Sequence, residues 1–100
     1  VPHCPACASV LRPDIVFYGE MLDGDVIEGS VQAIAQADLL IVAGTSLVVY
    51  PAAGLIDYYT GERLVLMNAT PTPYDSRADL IVREPVGQVF QELERLGRLP

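Results

Sequence analysis

Two cysteines stand three positions apart near the start of the chain, as Cys4-Pro5-Ala6-Cys7. That spacing lets both thiolates reach one metal ion and supplies half of a tetrahedral zinc site of the ribbon type. The remaining ligands would have to come from elsewhere in the protein. A redox dithiol and two unrelated cysteines are the alternatives. A redox pair usually opens a helix after a strand, whereas this pair lies in the proline-rich stretch VPHCPACASVLRP, so zinc is the expectation. His3 sits directly beside Cys4, a poor chelating geometry, and reads as a solvated loop histidine.

Two further clusters could bind rather than react. Gly44-Thr45-Ser46 closes the apolar run DLLIVAG, and Asn68-Ala69-Thr70 closes RLVLMN. Glycine lets a ligand approach the backbone, and threonine and serine offer hydroxyls. A helix opening near Pro51 would turn its positive dipole end toward a phosphate. Open parallel sheets bind ligands at the carboxyl ends of their strands, so two such ends make a nucleotide cradle. The plainer reading is a pair of ordinary βα loops, and these residues alone weigh the two equally.

The elements that must position these clusters follow from hydrophobic spacing. Ile27, Val31 and Ile34 recur at i, i+4 and i+7, which predicts an amphipathic helix to about Ala37, capped by Asp23 or Asp25. DLLIVAG lacks alternation and predicts a strand buried on both faces of a parallel sheet. Pro51 fits the first turn of a second helix, continued by AAGLIDYY to a stop at Thr60-Gly61. RLVLMN, residues 63–68, is a second buried strand, and LIV at 80–82 is a third. Val86, Val89, Phe90, Leu93 and Leu96 mark a closing amphipathic helix, while DIVFYGE reads as a short extended segment stopped by Gly19. Strand and helix in this rhythm predict an α/β fold, a parallel sheet covered by helices.

Composition sets the bounds. The chain has 100 residues, 51% of them apolar, ample for one domain that buries roughly 60–70% of its unfolded surface. The longest apolar stretch, Leu39 to Ala43, is far short of the roughly 20 residues of a membrane span. No charged-then-apolar leader opens the sequence, and a soluble, cytoplasmic protein is the expectation. Net charge is -7, from 13 acidic residues against six arginines and no lysine. That balance argues against a nucleic-acid partner, which needs a basic face, and would weakly attract a basic peptide. The sequence begins with Val, and its cysteine pair has nothing upstream to complete it, so a fragment lacking an N-terminal part is expected.

Several segments in order converge on one family. CPAC, then LRPDIVFYGE, DLLIVAGTSLVVYPAAG and LVLMNATPTPYD together resemble the C-terminal part of the sirtuins, NAD-dependent protein deacylases. The resemblance runs through most of the chain. It implies a partial Rossmann-like parallel sheet with flanking helices, preceded by part of a zinc-ribbon module. Residues 1–13 would be the second half of the zinc-binding module, 14–22 a substrate-binding loop, and 23–100 the C-terminal part of the NAD-binding domain.

The resemblance also assigns roles. Cys4 and Cys7 match half of the family's four-cysteine zinc site. Gly44, Thr45 and Ser46 match its phosphate- and ribose-contacting turn; Asn68, with Ala69 and Thr70, matches the segment that holds the adenosine ribose. Val86 falls near the backbone that contacts adenine. Val16, Tyr18, Gly19 and Glu20 correspond to the family's Phe-Gly-Glu loop, with Tyr in place of Phe, and Val49 lies on the opposing loop. An acyl-lysine peptide would lie between them as a middle strand, by β-augmentation.

The implied reaction removes an acyl group, acetyl foremost, and yields nicotinamide and O-acyl-ADP-ribose. In the family the acyl oxygen attacks the ribose carbon bearing nicotinamide, and a histidine then acts as general base. His3 is the only histidine and is not in the matching motif, so no catalytic residue is assigned and the missing N-terminal half is an implied partner. Two rivals remain: a non-catalytic Rossmann-like nucleotide-binding module, which has no use for the Tyr18-Gly19-Glu20 loop, and a small zinc-dependent interaction domain, which would show no nucleotide affinity.

Overall fold

The computed structural model describes residues 1–98. Helix α1 spans Gly24–Gln36, and Asp23 is its cap, with Oδ1 accepting from the backbone N–H groups of Asp25 at 2.8 Å and Val26 at 3.3 Å. Ile27, Val31 and Ile34 form its half-buried stripe, as their spacing predicts. Strand β1 covers Leu40–Ala43, β2 covers Leu64–Met67 and β3 covers Leu80–Val82, in the spatial order β1-β2-β3. Both pairings are parallel, with Leu40 opposite Leu64 and Val65 opposite Leu80. Helix α2, Val86–Gly97, closes the described chain.

The connection after β1 departs from the expected α-helix. Pro51 is the N-cap, not a first-turn residue, and Ala52–Tyr58 form a 3₁₀ helix. The buried residues Ala53, Ile56 and Tyr59 recur every third position, and a 3₁₀ turn brings them onto one face. Tyr59 fixes the exit. Its buried hydroxyl lies 3.1 Å from the carbonyls of Asp38 and Arg63 and accepts from the Arg63 N–H at 3.0 Å.

DIVFYGE pairs with no strand among the described residues and stops where expected, in a turn with Glu20 N–H donating to the Phe17 carbonyl at 3.0 Å and Gly19 at φ +85°. One other expectation is corrected. Strand β1 is not buried on both faces, since Ile41 and Ala43 are exposed while Leu40 and Val42 are half-buried. It is an edge strand of this sheet, with β2 on one side only. The core is therefore small: Leu47, Ala53, Ile56, Tyr59, Leu64, Leu66 and Met67. The apolar stripe of α2 has the expected spacing, yet Phe90, Leu93 and Leu96 stand about half exposed and the helix buries none of its residues.

Candidate functional site

All three strands end at one edge, and the candidate nucleotide residues gather there. Gly44 leaves β1 at φ +69°, a left-handed conformation that glycine adopts without strain, and its N–H donates to the Met67 carbonyl at 2.8 Å. Thr45 Oγ1 then accepts from the Leu47 N–H at 3.1 Å, and Leu47, itself at φ +57°, plugs its side chain into the core. That plug leaves Thr45 and Ser46 exposed at the turn. A Cβ placed on Gly44 would sit 3.8 Å from Val86 Cγ2, so the first residue of α2 flanks the same turn.

The Asn68 loop adjoins it from the end of β2. Its backbone N–H donates to the Val82 carbonyl at 3.0 Å, and Asn68 Nδ2 reaches the Thr70 carbonyl at 3.0 Å and Thr70 Oγ1 at 3.1 Å. With the amide nitrogen engaged on Thr70, Oδ1 has no protein partner among the described residues and is free to accept from a ligand hydroxyl. Ala69 and Thr70 are exposed beside it. Two residues that spacing does not reveal hold this loop. Arg83 contacts it directly, and Asp75 pairs with Arg83. The Thr72 hydroxyl, then its backbone N–H and Arg83, hold the Asp75 carboxyl below the usual carboxylate range.

The second grouping is a cleft of about 450 Å³. Val16, Tyr18, Gly19 and Glu20 line one side, and Val49 and Tyr50 the other, so every residue expected to touch a peptide borders one space. None of them is core: Tyr18 is 92% exposed, Val16 51% and Val49 52%. Arg12 organises the loop, pairing with Glu20 at 2.9 Å, donating to the Ile15 carbonyl at 3.3 Å and lying 4.9 Å over the Phe17 ring. Tyr50 packs against Gly54, and its hydroxyl meets that of Tyr74 at 3.0 Å. This hydrogen bond, ahead of burial and the nearby Asp57, pushes Tyr74 up to about 12. Val49 and Ala52 line both this cleft and a smaller apolar pocket of about 260 Å³ that Thr45 of the strand-end turn also lines.

The cysteines lie on a tight hairpin. His3 and Val10 bridge antiparallel, Cys4 N–H donates to the Ser9 carbonyl at 2.8 Å, and Ala8 N–H returns to the Cys4 carbonyl at 2.8 Å. Both thiols are free, and Cys7 Sγ lies 3.3 Å from Ser9 Oγ. Ser9, through hydroxyl and backbone, and then Cys4 lower the Cys7 pKa and so favour its thiolate. Among the described residues no group of three or more His, Cys, Asp and Glu is placed to hold a metal. The hairpin thus fits zinc as a donor of two thiolates. His3 stays exposed on this hairpin and does not line the cleft.

A parallel sheet with flanking helices, whose strand ends converge on small polar turns, defines a Rossmann-like α/β protein. The chain belongs to the Sir2 family, whose model matches residues 1–51. It is 50% identical over 91 residues to an NAD-dependent protein deacetylase of Clostridium acetobutylicum, covering 91% of this chain and 37% of that protein. An NAD-dependent protein deacetylase of Clostridium perfringens is 53% identical over 91 residues, 90% of this chain and 37% of that one. A solved structure of Sir2 bound to acetylated peptide superposes with a TM-score of 0.80 at 40% identity, covering 97% of this chain and 42% of the other. The chain therefore spans about two-fifths of the length of the relatives it matches.

Proposed function

We propose that this chain is the C-terminal part of an NAD-dependent protein-lysine deacylase, acting on acetyl-lysine foremost, in a soluble cytoplasmic setting. One observation carries the reading: the Val16–Glu20 loop and Val49 border a single cleft, and Val49 also walls the adjoining pocket that Thr45 of the strand-end turn lines. An acyl-lysine peptide laid through that cleft would bring its acyl group against the turn. NAD bound at this turn would supply an electrophilic ribose carbon with nicotinamide as its leaving group, the acyl group passing to ADP-ribose.

The chain's own residues bind and orient. Gly44 gives backbone access, Thr45 and Ser46 present hydroxyls, and Asn68 Oδ1 accepts from a ribose hydroxyl. Val86 and Ala69 border the nucleotide, and the exposed backbone of Val16 to Glu20 pairs with the peptide. General-base chemistry falls to the N-terminal half of the same protein, the implied partner, which also completes the zinc site begun by Cys4 and Cys7. On this reading, 1–13 belong to the zinc module, 14–22 to the substrate loop and 23–100 to the nucleotide domain.

The test uses the full-length parent. It should release nicotinamide from NAD in proportion to acetyl-lysine peptide consumed, and elemental analysis should find one zinc per chain, lost on Cys4→Ser. Asn68→Ala removes a partly buried hydrogen bond of about 1–3 kcal/mol, so NAD affinity should fall roughly 5- to 150-fold while peptide affinity holds. A parent that binds NAD yet leaves acyl-lysine untouched would point instead to a non-catalytic nucleotide module.

A further inference from the structure

Arg83 stands just beyond β3, facing the loop that carries Asn68. Its Nη1 donates to the Asn68 carbonyl at 3.1 Å and to the Thr70 carbonyl at 3.0 Å, while Nη2 pairs with Asp75 Oδ2. One guanidinium therefore ties the first and last residues of the Asn68–Thr70 loop to a carboxylate outside it. That carboxylate is itself held: Thr72 Oγ1 donates to Asp75 Oδ1 at 2.7 Å, and the Thr72 N–H donates to Oδ2 at 3.1 Å. The pair is also the least exposed ion pair among the described residues, with Asp75 at 22% against 55–75% for the side chains of the two pairs on and beside α2. Solvent screens it correspondingly less.

We propose that Arg83, anchored by Asp75, is a positioning residue for the nucleotide: it sets the shape of the Asn68–Thr70 loop so that Asn68 Oδ1 is presented to a ribose hydroxyl. This rests on the nucleotide reading of that loop. The backbone bond from Asn68 to Val82 fixes where the loop begins. What it leaves free is the path through Ala69 and Thr70, and Thr70 is the residue that orients the Asn68 amide. By fixing the Thr70 carbonyl, Arg83 removes that freedom before the ligand arrives, so less ordering cost falls on binding. A guanidinium suits the task because its planar fork spans two carbonyls and a carboxylate at once, whereas an ammonium offers a point charge on a flexible stem.

The experiment measures NAD and acetyl-lysine peptide dissociation constants by calorimetry, with thermal midpoints, for the full-length parent and four variants: Arg83→Gln, Arg83→Lys, Asp75→Asn and Asn68→Ala. Arg83→Gln should weaken NAD binding about tenfold or more, as expected for hydrogen bonds from a charged donor, and leave peptide affinity within about twofold. Arg83→Lys should recover only part of the loss, and Asp75→Asn should show a smaller loss in the same direction. Unchanged NAD affinity in Arg83→Gln, with Asn68→Ala weakened, overturns the clamp and spares the nucleotide site. Unchanged affinity in both overturns the site and the clamp with it. Equal losses for NAD and peptide, or a lowered midpoint alone, would make Arg83 a general structural residue and overturn the proposal. Should Arg83→Gln fail to fold, Asp75→Asn is judged by the same criteria.

Discussion

Tyr50 and Tyr74 meet through their hydroxyls across 24 residues of sequence, one ring in the wall of the cleft and the other outside its lining. With Tyr74 pushed up to about 12, chiefly by its bond to Tyr50, the folded protein holds that proton beyond the ordinary range. The sign follows: a raised folded-state pKa stabilises fully below about pH 10, and that contribution is lost as pH rises through 12. Tyr50→Phe should bring the Tyr74 phenolate transition back toward about 10, read by ultraviolet absorbance titration of the folded parent. An unmoved transition would assign the shift to burial instead. Tyr50, Tyr74 and Arg12 lie inside the strings that carry the resemblance, yet their contacts were not legible, nor were those of Arg83, because each acts on another loop or through backbone carbonyls that carry no residue identity.

At the scale of elements, Tyr59 pins three pieces together: the end of the 3₁₀ helix, the turn at Asp38 and the entry to β2 at Arg63. Tyr59→Phe strands these backbone groups and should cost about 1–3 kcal/mol, measured by denaturant unfolding of the parent at constant slope. Gly61→Ala should be at least as harmful, since its Cβ would fall 2.6 Å from Tyr59 Cζ and force the ring away. Loss of Asp23 at the start of α1 is milder, about 0.5–2 kcal/mol for Asp23→Ala. Much of this level was readable: the β3 range matches LIV, β2 lies within RLVLMN, and α1 starts directly after its expected cap Asp23 and stops one residue short of Ala37. The 3₁₀ helix was not, because apolar residues at 53, 56 and 59 suit a period of 3.0 or 3.6 almost equally over seven positions. DIVFYGE pairs with no strand among the described residues, because β-propensity registers fit to a pleated surface and none adjoins it, while its expected stop at Gly19 is where the turn falls.

For the whole molecule, the accessible surface of 7591 Å² compares with about 5,500 Å² for an ordinary folded chain of this size. The excess is visible as the bare outer face of β1 and the half-exposed stripe of α2. The expectation of roughly 60–70% burial assumed that these stripes would find cover within the chain. On the proposed function, residues 1–100 alone should show no nicotinamide release from NAD and acetyl-lysine peptide, because a nicotinamide ribose held on one side only is not fixed within attacking distance of the acyl oxygen. Mixing with the separately made N-terminal half should restore turnover. Activity of the purified 100 residues at even a hundredth of the parent rate would show the catalytic machinery misplaced. The order of the strands has a kinetic consequence as well. Because β1, β2 and β3 are neighbours in both sequence and space, each pairing closes a loop of only about 24 or about 15 residues, at nearly equal entropic cost. The sheet can be laid down vectorially during synthesis, each strand docking on its predecessor within a few seconds of leaving the ribosome at about 5–20 residues per second.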